Sequence, residues 1–140
     1  MFSTARLVGV LTVSLLLGSG VALAEKANAL NADAATGWYH STVYTAAYLK
    51  GDYSRALEVA RQNQDAEMFY SYLEIIPIFG QLGMKQDAVE AWHMLLKQLP
   101  GATAATFEEW WRLWNIRDDE VAKLMDGVYK SGVLDSDAPQ

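Results

Sequence analysis

Two stretches of the chain, 32 residues apart, carry the same pattern: Gly51-x4-Ala56-Leu57-Glu58 and Gly83-x4-Ala88-Val89-Glu90. In each, a glycine ends one helical run and a short turn follows. An alanine, an apolar residue and a glutamate then fall inside the next helix. The alanine has a physical reason. Antiparallel helices approach closely only where one of them offers a small side chain, so Ala56 and Ala88 let their neighbours pack. A single helical hairpin cannot bury its own apolar face, and stacking a second on it completes a core. A repeat of this length predicts stacked hairpins.

The rest of the chain follows the same rhythm. From Trp38 the period is helical toward a stop at Gly51. Tyr53, Ala56, Leu57 and Ala60 then form one face of a second helix. A third helix is expected from Asp65, as its N-terminal cap, to Gly83, with a broad apolar side from Met68 to Phe79. Pro77 should kink it or end its regular part. Ala88, Trp92, Leu95 and Leu99 line a fourth helix that stops at Pro100-Gly101. Thr106 and Glu109 fit a capping box for a fifth helix, whose apolar face is Phe107, Trp110, Trp111 and Trp114. Val121, Leu124, Met125 and Val128 mark a sixth, ending near Gly132. No alternating strand pattern of useful length occurs. The expected fold is all-α: about three stacked antiparallel hairpins, six helices, over residues 38–132.

This pattern resembles the tetratricopeptide repeat, with the Sel1-like class as a near relative. Gly51, Ala56, Gly83 and Ala88 match the family's turn and small packing positions. Trp92 and Pro100 match its large aromatic and its terminating proline. The period of 32 differs from the family's usual value of about 34. The third unit, around "NIRDDEVA", lacks the glycine. The resemblance implies a concave groove lined by the first helix of each hairpin. Its positions carry over to Trp38, Thr45 and Tyr48 in unit one, Tyr70, Leu73 and Gln81 in unit two, and Trp110 and Trp114 in unit three. An aromatic groove of this kind suits a peptide or an amphipathic helix.

The start of the chain reads differently. Arg6 is followed by an apolar run from Leu7 to Leu23, closed by Ala22-Leu23-Ala24 before Glu25. A basic start, an apolar middle and small residues at −3 and −1 predict a secretory signal peptide over 1–24, cleaved after Ala24. The rival is an uncleaved anchor, which would be the chain's one link to a membrane. Gly9, Gly18 and Gly20 interrupt the run and count against a span. Residues 25–37 read as a linker or marginal helix, and 133–140 as a polar, flexible tail. The expected destination is the periplasm of a bacterium or the medium.

Charge and cysteine usage narrow the partners. The formal charge is −6, and losing the leader with its single arginine makes it −7. Nucleic acid needs Lys and Arg against its phosphates, so an acidic domain is a poor partner for it. The chain has no cysteine, so disulfides cannot stabilise it and a packed core must.

Candidate chemistry is sparse. His40 and His93 have no partners at metal-ligand spacing, and no metal or cofactor is expected. Glu108-Glu109 and Asp118-Asp119-Glu120 stand near helix starts, where negative charge is favourable, and successive residues on a helix do not face one another. Glu74 lies among apolar neighbours and is expected to face solvent. No nucleophile elbow or phosphate loop is present. The sequence therefore predicts a non-enzymatic interaction module, an adaptor, assembly factor or chaperone-like subunit. Two rivals stay open: a binder of a small molecule or lipid in an internal aromatic pocket, and a permanent structural subunit of a larger envelope complex.

Overall fold

The structure, a computed structural model, describes residues 26, 37–62 and 67–135. Among the described residues six helices follow one another: α1 (Gly37–Leu49), α2 (Tyr53–Arg61), α3 (Phe69–Leu82), α4 (Lys85–Gln98), α5 (Ala104–Leu113) and α6 (Asp118–Ser131). No strand occurs among the described residues, so the fold is all-α as the periodicity indicates. The expected leader, most of the linker and the last five residues lie outside the described set, as does Asp65. Among the described residues no helix is long and apolar enough to cross a membrane.

The helices pair in sequence as hairpins, and the turns explain why. Gly51 and Gly83 take left-handed backbone, at φ 83° and 71°, which a side chain would disfavour. Behind each, the next amide reaches back five residues: Asp52 N donates to Ala47 O and Met84 N to Phe79 O, both at 2.9 Å. The third turn does the same without glycine. Asn115 stands at φ 56°, and Ile116 N donates to Trp111 O at 3.2 Å. Asparagine is the residue next best suited to this conformation. The three turns therefore recur at positions 51, 83 and 115, an unbroken 32-residue spacing.

The packing positions recur too, with one substitution. Ala56 and Ala88 are fully buried. The equivalent position in the third hairpin is Glu120, also fully buried, whose carboxylate lies 3.1 Å from the Arg117 guanidinium and accepts from Arg117 N at 3.2 Å. A long side chain where the other hairpins have a methyl group holds α5 and α6 apart, and they pack less closely than α1 with α2 or α3 with α4.

Helix α6 compensates by packing on α3, the most extensive helix contact in the molecule, and it also touches α1 and α4. Gly80 and Gly127 allow this. A Cβ on Gly80 would run into the Gly127 carbonyl and come within 2.8 Å of Ser131 N, and one on Gly127 would meet Pro77 O at 2.5 Å. Between these layers Leu73, Ile76, Ile78, Leu95, Phe107 and Val128 are completely enclosed. Trp92 stacks on Phe107 at 6.1 Å and joins the second hairpin to the third.

Three element boundaries differ from expectation. Helix α3 begins at Phe69, after Met68 in extended backbone, and it continues through Pro77 to Leu82. Helix α5 begins at Ala104, because Thr106 Oγ1 accepts from Thr103 N at 2.9 Å and so closes the helix start three residues before the expected cap. The expected tail is corrected at its start: Val133 is buried and belongs to the core, with Leu134 packed against it.

Candidate functional site

Helix α3 is apolar nearly all round and touches all five other helices. A polar residue in its middle has no solvent face to turn to. Glu74 is that residue, and it is 6 % exposed, which corrects the expectation of a solvent-facing side chain. Each of the other two first helices sends it a donor. Ser41 Oγ from α1 lies 3.0 and 3.1 Å from the two carboxylate oxygens, and Trp110 Nε1 from α5 donates to Oε1 at 3.3 Å. Tyr44, one turn after Ser41, is buried beside it, with its hydroxyl close enough to Glu74 to favour the charged carboxylate.

Burial pushes the Glu74 carboxyl up to about 7, which outweighs the hydroxyls and the indole N–H that favour its charge. The Tyr44 phenol is raised well above its ordinary value, first by burial and then by the neighbouring carboxylate. A single carboxyl that gains or loses a proton near neutrality thus sits where α1, α3 and α5 meet.

Aromatic rings cover this centre on the α3–α5 side. Tyr70 stacks on Trp110 with planes 8° apart and centroids 5.6 Å apart. Phe69 meets both rings edge-on, at 5.6 and 5.7 Å, and Trp114 meets Trp110 edge-on at 5.8 Å. All four rings are half-buried. Such offset and T-shaped pairs suit the quadrupoles of the rings.

Thus the structure brings Tyr70, Trp110 and Trp114 together as one patch. It does not extend them into a groove. Thr45 and Leu73 are buried in the core, and Tyr48 is buried with its hydroxyl donating to Lys123 O of α6 at 2.8 Å. Gln81 Nε2 donates to Tyr48 Oη at 3.0 Å and to Asp126 Oδ2 at 2.8 Å, while Lys130 Nζ donates to Gln81 Oε1 at 3.1 Å. Asp126 and Lys130 pair at 2.7 Å, which lowers the carboxyl and raises the amine. Two of the expected groove positions, Tyr48 on α1 and Gln81 on α3, therefore hold α6. Trp38 lies in the first turn of α1, and its side chain is outside the described residues. Of the packing positions, Gly51 and Gly83 make the turns, Ala56 and Ala88 the close contacts, and Trp92 the bridge to Phe107; Pro100 follows α4 at the surface.

Sequence reasoning missed Ser41, Tyr44 and Glu74 as a group. The available signal was the length of the apolar run around Glu74, which leaves a central helix no polar side. No known protein family matches the chain, and no match is found among curated proteins or among solved structures.

Proposed function

We propose that the protein is an exported, tetratricopeptide-like interaction module of the bacterial envelope, which binds a protein segment on the aromatic patch of α3 and α5. The observation that carries this reading is the patch itself. Tyr70, Trp110 and Trp114 are gathered but half-buried, and Met68 (46 %), just before α3, and Leu113 (57 %), at the end of α5, are exposed close to them in sequence. Large apolar surface of this kind marks interaction sites, and Trp and Tyr make strong anchors. With α6 lying on Tyr48 and Gln81, the patch is the part of the expected aromatic surface left open among the described residues. The module would act as an adaptor, assembly factor or chaperone-like subunit, with no catalytic step of its own.

The test is crosslinking of the tagged, exported protein followed by mass spectrometry, with Tyr70→Ala and Leu113→Ser in parallel and circular dichroism as the fold control. One dominant partner, lost in both variants, supports the reading. The same partner retained in both variants, or lost equally in Tyr129→Ala on α6, overturns it.

A further inference from the structure

A second surface stands apart from the aromatic patch. Helices α2 and α4 both pack on α3 far more than on each other. The residues that face across the gap are small, Ala60 on α2 and Ala91 on α4, so among the described residues no side chain fills the space above α3. The result is an open cleft of about 260 Å³. Its floor is Tyr72, Ile75 and Phe79, spaced three and four residues apart along α3, and Met94 closes one side while remaining 39 % exposed.

The cleft has an acidic edge. Asp87 and Glu90, one turn apart on α4, line it on that helix. Neither forms an ion pair among the described residues, whereas the paired acids Glu58, Glu108, Asp118, Asp119, Glu120 and Asp126 all lie on other helices. Two uncompensated carboxylates over an apolar floor repel an acidic occupant and attract a basic one. A second copy of this chain fits poorly, because it is itself acidic at −6. The chain's own leading segment fits poorly too, since residues 1–36 hold only Arg6 and Lys26 as positive charges.

We propose that the α2–α4 cleft receives one face of a cationic amphipathic helix from a partner protein. Apolar side chains at three- and four-residue spacing would lie on Tyr72, Ile75 and Phe79, and Lys or Arg along one flank would meet Asp87 and Glu90. The cleft shares no residue with the aromatic patch, so either surface can fail without the other.

The test uses the folded full chain and a fluorescent peptide of about 18 residues, roughly five turns, patterned from Leu and Lys as an amphipathic helix. Its twin carries Glu in place of Lys. Anisotropy at about 0.15 M salt gives affinity, and amide shifts locate the site. The Lys peptide should bind and shift the amides of Ala60, Tyr72 and Ala91. Asp87→Lys with Glu90→Lys should weaken it about tenfold or more. Met94→Asp should weaken it as well, and the reversed pair should gain affinity for the Glu twin. Four outcomes overturn the proposal: no binding of the Lys peptide; equal binding of both peptides; equal weakening by Glu109→Lys with Asp119→Lys, which would show only general attraction; or shifts confined to other helices. A concentration-dependent dimer abolished by Met94→Asp would make a second copy the occupant and overturn it too.

Discussion

The two halves of α3, the Glu74 end and the Gly80 end, are closed by different means. Around Glu74 the cover is side chain: a serine hydroxyl, a tyrosine, an indole N–H and a stack of rings. Around Gly80 the cover is backbone: α6 approaches so closely that neither Gly80 nor Gly127 has room for a methyl group. Side-chain cover can be exchanged one group at a time, and it surrounds a carboxyl that burial makes keep its proton up to about pH 7. Backbone cover is all or nothing. The tunable end carries the aromatic patch, and the rigid end fixes α6 against Tyr48 and Gln81.

Substitution at the rigid end should have the largest effect. Gly127→Ala gains about 1 kcal/mol in helix propensity but forces α6 away from Pro77, so the expected net loss is about 3 kcal/mol, read by urea unfolding. An unchanged midpoint would mean that α6 does not pack as described. At the tunable end the effect is one of pH. Glu74 titrates near 4.5 when unfolded and about 7 when folded, so between those values the fold binds a proton that the unfolded chain has released. Stability should fall as pH rises across that window, by on the order of 3 kcal/mol in total. Glu74→Gln should flatten the slope and leave the variant the more stable protein at pH 8. A slope identical to wild type would place the titration elsewhere.

Smaller changes separate the two ends further. Tyr48→Phe removes the donor to Lys123 O and the acceptor for Gln81, and should cost about 1–2 kcal/mol with no change in the pH slope. The smallest effect is expected at the third turn. Asn115→Gly relieves a left-handed asparagine and should raise stability by about 0.5 kcal/mol, partly offset by the greater freedom of glycine when unfolded. A loss there would show that the Asn115 side chain itself supports the turn.

Much of the architecture was legible because it rests on local rules. Gly51 and Gly83 announced the turns, and Ala56 and Ala88 the close packing that follows them. The third turn was obscured because Asn115 performs the glycine's conformation under another name, and because Glu120 replaces the alanine. The site was less legible, since it depends on which helix becomes central. Glu74 reads as a surface residue until α3 is enclosed on every side. Tyr48 and Gln81 read as groove positions until α6 lies on them, and no local pattern states that a helix 75 and 45 positions later, respectively, will do so. The start of α5 was misplaced because two threonines competed for one cap, and Thr103 follows more directly from the Pro100-Gly101 break.

The contact between Tyr48 and Lys123 has a kinetic side. In a linear array each unit leans only on its neighbours, and the ends can fray or fold alone. Here a hydrogen bond spans 75 positions and ties α1 to α6. Fraying of α6 would uncover α1 and α3 together, so unfolding should proceed as one cooperative transition rather than unit by unit. Folding, in turn, must close a long loop before its largest helix contact forms, which slows it relative to an open stack of equal length. The same tie fixes the number of units: a further 32-residue hairpin inserted between α4 and α5 would carry α6 beyond the reach of α1.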